Sequence, residues 1–190
     1  MNFLSLQVVT PPVELPITKD EFIDQARLNG ITLGTQPGLI DREMEAATER
    51  GQQFCRRSFI TQTLVAIFVP DYLNRASAPL LVLPRGVVQQ VEEVASGGDV
   101  ITGYTLTWNV ITLNVPIFAP VTVRWVSGYG DARDDVPALI REGILQYATT
   151  LYESRAGERP PENRNSNAAK NGLPDGVYDC WRPYQIELSG

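Results

Sequence analysis

The spacing of apolar positions along the chain is helical at both ends and strand-like in the middle. The first ten residues precede Pro11, Pro12 and Pro16 and predict an extended N-terminal arm over residues 1–17. Proline fixes φ and has no N–H to give, so this arm is neither an interior strand nor a helix. A short helix follows over residues 18–29. Thr18 and Glu21 stand at capping-box spacing, Ile17 and Phe22 at staple spacing, and Gly30 is placed to stop it. A second helix is predicted over residues 37–57, with Ile40, Met44, Ala47, Gly51 and Phe54 on one stripe. Its acids come early (Asp41, Glu43, Glu45) and its bases late (Arg50, Arg56, Arg57), which suits the helix dipole.

From Ile60 the period changes to two. Short strands are predicted over 60–69, 80–83, 87–95, 104–108, 111–115 and 120–126, with a Gly97-Gly98-Asp99 turn between the third and fourth. The helical period returns over residues 136–155, where Ile140, Ile144, Tyr147 and Leu151 share a face. Residues 157–172 are polar, with Pro160, Pro161 and four asparagines, and predict a mobile loop. Residues 173–190 form an apolar, aromatic tail that either folds back on the core or docks on a partner. The order helix, sheet, helix defines an α+β class. It consists of a small bundle of three main helices with a β-rich insertion, residues 60–126, forming an antiparallel sheet or partial barrel. One domain, residues 18–156, lies between the arm, the loop and the tail.

Charge sharpens this division. Residues 1–60 carry 14 charged side chains, residues 61–130 only 7, and residues 131–190 carry 17. The 190-residue chain has 16 bases, 14 of them Arg, against 22 acids, for a net charge of −6. It has no histidine, so His-based triads, His-ligated zinc and His proton shuttles are excluded. The acid surplus argues against gripping nucleic acid by counterion release. Cys55 and Cys180 form neither a metal spacing nor a disulfide framework. Residues 1–7 lack a basic region ahead of an apolar stretch, and no apolar run approaches a membrane-spanning length. A soluble domain without catalysis, cofactor, metal or membrane is the expectation.

The remaining candidates have plain structural readings. Ser127-Gly128-Tyr129-Gly130 looks like an anion-binding loop but lacks a following Lys, and Asp131, Asp134 and Asp135 would repel phosphate. A tight turn is expected there. The same aspartates lack the pattern of a calcium loop, and Glu92 and Glu93 lie on a strand, where neighbours point to opposite faces. Cys55 beside Arg56 and Arg57 is read as a small buried hydrophobe. Trp108 and Trp125 are read as core. Trp181, with Arg182 and Tyr184 nearby, has the composition of an interface anchor.

Four stretches in order carry a family resemblance. They are Val9-Thr10-Pro11-Pro12 with Pro16-Ile17-Thr18; Arg57-Ser58-Phe59-Ile60-Thr61-Gln62-Thr63; Val123-Arg124-Trp125-Val126-Ser127-Gly128-Tyr129-Gly130, with Val136-Pro137 and then Leu151-Tyr152-Glu153-Ser154-Arg155; and Leu173-Pro174 leading to Arg182-Pro183-Tyr184. Together they resemble the tailed-phage head–tail connector (adaptor) family, in its variant with a β-rich insertion between helices. One departure is at the end of the second helix. Phe54-Cys55-Arg56-Arg57 stands where the family carries Tyr-Thr-Gly-Arg or similar.

The resemblance implies a structural virion protein in the neck between head and tail, assembled in the host cytoplasm. It implies a self-assembled ring, commonly dodecameric, beneath the portal protein. Such a ring extends a channel through which double-stranded DNA passes without sequence-specific binding, and it joins a stopper or other neck or tail protein. A stopper or tail-completion protein lower in the neck is the alternative. The C-terminal segment of such proteins engages the portal, which points to Val177, Tyr178, Trp181, Arg182, Tyr184 and Ile186.

Overall fold

A computed structural model describes residues 2–28, 37–70, 79–154 and 171–186. The stop expected at Gly30, most of the loop expected over 157–172, and residues 187–190 lie outside them. The chain forms two compact units, each built from two separate stretches. A sheet unit takes Met1–Val13 and Arg56–Asp131, and a helical unit takes Glu14–Cys55 and Ala132–Gly190.

Among the described residues the sheet unit contains eight strands: β1 (Asn2–Thr10), β2 (Gln62–Val69), β3 (Leu80–Val82), β4 (Val88–Ser96), β5 (Asp99–Val100), β6 (Tyr104–Thr107), β7 (Val110–Leu113) and β8 (Val121–Ser127). They form two sheets rather than one. A five-stranded sheet has the order β1-β2-β8-β4-β5, and a three-stranded sheet has the order β3-β7-β6. Every strand pair is antiparallel. Residues 2–10, read from the sequence as an arm, are extended and paired along β2 as the sheet's edge strand. Leu4 and Val9 fall at shifts of register and have no partner across the pair.

Period two selects which residues enter the core. On β2 the buried positions are Gln62, Leu64, Ala66 and Phe68, and on β8 they are Val121, Val123, Trp125 and Ser127. The register sets Leu64 opposite Trp125 and Ala66 opposite Val123, so each inward row meets another. Leu81 and Leu83, with Ile111 and Leu113 from β7, join the same cluster, so both sheets share one core. Trp125 is in that core, as expected. Trp108 is not: it is 89% exposed at the turn between β6 and β7. The strand reading failed there because Trp108 and Asn109 are the turn itself.

The helical unit contains α1 (Lys19–Gln25), α2 (Pro37–Cys55), α3 (Ala138–Ser154) and α4 (Asp175–Trp181). Short 3-10 turns run over Arg133–Asp135 and Arg182–Tyr184. The capping box is present: Thr18 Oγ1 accepts from the Glu21 N–H, and the Glu21 carboxylate accepts from the Thr18 N–H. The helix ends sooner than the sequence suggested. Arg27 adopts φ +53, and the Leu28 N–H donates back to Ile23 O while the Arg27 N–H donates to Asp24 O. That is a Schellman closure with arginine in the left-handed position glycine usually takes.

On α2 the predicted stripe is buried: Ile40, Met44, Ala47 and Phe54 are all inside. This helix stops at Cys55, because Arg56 turns left-handed at φ +56. Arg56 thus takes the conformation at the position where the family resemblance would place glycine. On α3, Ile140, Ile144, Gly143 and Ala148 are buried. Phe22 of α1 packs edge-on against Tyr152 at 5.8 Å. Glu14 ties the two stretches of the unit together, accepting from the Arg133 N–H at 2.8 Å and from its guanidinium at 2.9 Å.

Candidate docking site at the C-terminal segment

The segment after Leu173 was open to two readings from the sequence, fold-back or docking. Its described part folds back. Pro174 presets the entry and caps α4, which runs for seven residues before Pro183 forces a change of geometry. Leu173, Val177, Cys180 and Trp181 all point into the helical unit and are buried.

Trp181 is the centre of this packing and is 0% exposed. Its indole Nε1–H donates to Ile140 O on α3 at 3.2 Å, so the buried polar atom is satisfied. Its ring meets Tyr147 edge-on at 5.9 Å and Phe54 at 6.1 Å. Gly143 makes the space, since a Cβ there would overlap the indole. A second set of bonds fixes the end of α2. Cys55 Sγ donates to Trp181 O at 3.7 Å, and the Ile186 N–H donates to Cys55 O at 3.1 Å.

The six residues singled out from the sequence therefore divide. Val177 and Trp181 are buried within the helical unit. Tyr178, Tyr184 and Ile186 are half-buried, and Arg182 is exposed. The Tyr178 ring lies edge-on to Phe54 at 5.7 Å, with the Arg182 guanidinium 6.0 Å from its centroid. Of the six, Arg182, the tyrosines and Ile186 thus reach the outward surface, which they share with the exposed Asp175, Asp179 and Pro183. The sequence held a usable signal for the fold-back. A glycine inside a buried helical stripe costs about 1 kcal/mol against alanine, and it is kept where another group must come close.

The other candidates resolve into structure. At Ser127-Gly128-Tyr129-Gly130 the Gly128 N–H donates to Val87 O, the Tyr129 N–H to Phe59 O, and Gly130 O accepts from Thr61. Those two amides are committed to the sheet unit and are not offered to an anion. Asp135 accepts from the Ala132 N–H at 3.0 Å, and Asp134 pairs with Arg141 at 3.2 Å. Among the described residues no three metal-ligating groups converge. No helix among them is long and apolar enough to cross a membrane. Glu92 and Glu93 are both exposed, beside a shift of register on β4. Cys55 and Cys180 are buried and form no disulfide. The Cys180 thiol is pushed above its ordinary range, first by burial and then by the Glu142 and Asp179 carboxylates.

The chain is similar in fold to chains of gene transfer agent particles, two of them from structures of the neck. A chain in the neck of an empty particle, computed with C6 symmetry, is 17% identical with a TM-score of 0.71. A chain in the virion of the native particle is 16% identical with a TM-score of 0.70. A chain in the native neck, computed with C12 symmetry, is 15% identical with a TM-score of 0.68. Each comparison covers 98% of this chain and 99% of the other. No family model matches the sequence, and no curated protein matches it. The likeness thus extends over both units and is one of fold, at 15–17% identity.

Proposed function

We propose that this chain is a structural neck protein of a tailed-phage-like particle, a ring-forming head–tail connector seated beneath the portal. The observation that carries the reading is the end-to-end likeness in fold to chains of gene transfer agent particles. The cyclic symmetry of the two neck structures supports a ring of identical copies. The order of sequence motifs supports the connector position within the neck. In this reading the protein is not an enzyme and acts by holding partners together. A net charge of −6 suits a neck through which duplex DNA must slide without sticking.

The C-terminal segment is the proposed portal contact. Val177 and Trp181 serve it by anchoring α4, while Arg182, Tyr178, Tyr184 and Ile186 offer the contact surface. Deleting residues 173–190 is then an unclean test, because it removes the core residue Trp181. Arg182→Glu combined with Tyr184→Ala is the cleaner probe.

The experiment is light scattering and electron microscopy of the purified chain, alone and with portal. The expected result is ring particles with cyclic symmetry that join portal, with joining weakened at least tenfold in the double variant. A chain that stays monomeric and never enters portal-containing particles sinks the reading. Intact portal joining with failed tail attachment in the double variant would instead favour the stopper position lower in the neck.

A further inference from the structure

The two units differ in charge. The stretches that make the sheet unit, residues 1–13 and 56–131, carry five bases and five acids and so net to zero. The stretches of the helical unit carry the other 11 bases and 17 acids, which is the whole net charge of −6. Within the sheet unit, charge is absent from residues 1–13 and again from residues 100–123. Both stretches leave large apolar side chains in solvent. On β1 these are Phe3, Leu4, Val8 and Val9, and at the β6–β7 hairpin they are Leu106 and Trp108.

Trp108 is the sharper of the two features. It sits between Thr107 and Val110, which pair with each other, so it occupies the tip of a two-residue turn. Its φ is +58, a conformation that glycine takes freely and a bulky residue resists. Its side chain is 89% exposed, so packing within the chain does not repay that strain. A strained, exposed tryptophan on a charge-free hairpin is a contact residue waiting for its surface. On β1, Leu4 and Val9 are the residues at the two bulges, unpaired across the strand and exposed.

A ring closes through a heterologous contact, in which two different patches of the same chain meet. Copies with a net acidic helical unit repel one another there, whereas a neutral surface approaches without that penalty. Among the exposed apolar positions of the sheet unit, β1 and the β6–β7 hairpin are two different charge-free stretches, which is what such a contact requires. We infer that the Trp108 hairpin of one copy seats on β1 of the next copy, against Leu4 and its neighbours. The occupant is thus a second copy of this chain, and the inference rests on the ring reading above.

Two measurements on the whole chain test it. In sedimentation, Trp108→Gly is expected to raise the concentration needed for assembly at least tenfold, with a melting temperature equal to or above the parent's. In cross-linking, Leu4→Cys and Trp108→Cys are made as separate chains, mixed, and treated with a short bis-maleimide. Cys55 and Cys180 are buried and stay out of the reaction. The mixture is expected to give dimers at ten times or more the yield of either variant alone. A parent chain that is monomeric at all concentrations overturns the ring reading and this contact together. A ring that survives Trp108→Gly unchanged, or a mixture that cross-links no better than its components, overturns the contact and leaves the ring standing. A variant that still forms rings but fails to join the next neck component assigns Trp108 to another partner and likewise overturns it.

Discussion

At Gly128, in the sheet unit, the neighbour that leaves no room for a side chain is backbone. A Cβ there would lie 2.6 Å from Thr61 Cα and 2.7 Å from Ile60 C, at φ +152. At Gly143, in the helical unit, the neighbour is a side chain. A Cβ there would overlap the Trp181 indole at Nε1 and come within 2.7 Å of Cδ1. Both glycines close a unit by letting two distant stretches of chain touch. In the sheet unit the closure is built from atoms that move only if the strands move. In the helical unit it is built from one ring on a seven-residue helix, which can be exchanged or shifted. The closure at Gly128 therefore leaves less room for adjustment than the closure at Gly143.

The largest effect expected follows at Gly128. Gly128→Ala meets both a backbone clash and an unfavourable φ, and should cost about 4 kcal/mol or more. Chemical denaturation followed by fluorescence of the buried Trp125 reads it, and no second-site side-chain change should restore it. Gly143→Ala is expected to cost about 2–3 kcal/mol as an overpacked core. Here rescue should work: Trp181→Phe in the same chain should lower the penalty below the sum of the two single changes. Equal behaviour of the two glycines in such a cycle would break the contrast between the units.

A smaller effect concerns the join between the two stretches of the helical unit. Glu14→Ala removes the acceptor for both the Arg133 amide and its guanidinium. Both partners are about one-third exposed, so screening holds the loss to about 1 kcal/mol. Arg27→Gly should go the other way and stabilise by roughly 1 kcal/mol, because glycine takes φ +53 without the Cβ clash. Thermal melts of both variants give the signs.

The smallest effect is on the thiols. Neither cysteine should react with a maleimide at neutral pH until the chain is unfolded. Burial raises the Cys180 thiol above its unfolded value, so the stability tied to it is complete below the ordinary thiol range. That stability is lost as pH climbs through the raised folded value. A melting temperature that falls above the ordinary thiol range, with a flatter fall in Cys180→Ala, is the expected outcome.

What could be read from the sequence was decided by local pattern. The capping box at Thr18 and Glu21, the stripe on α2 and the alternation on β2 and β8 all depend on neighbours a few residues away, and all are found in the structure. The sequence reading missed places where a local rule is broken on behalf of a distant contact or a turn. Arg27 and Arg56 end helices in a conformation that composition assigns to glycine. Trp108 looks like a strand residue but makes a turn. Leu4 and Val9 interrupt the pairing of an otherwise regular edge strand. The direction of Trp181 was legible only jointly with Gly143, which lies 38 positions earlier in the chain.

The interleaving of the two units sets an order in time. The sheet unit is complete once Asp131 has been synthesised, but the helical unit waits another 50 residues for Trp181. A growing chain thus holds a finished frame while α2 and α3 still lack the ring that packs against Gly143. A chain cut short in that interval carries the sheet unit without the aromatic plug of the helical one. Only copies translated past that point carry the Trp181 ring that fills the space at Gly143.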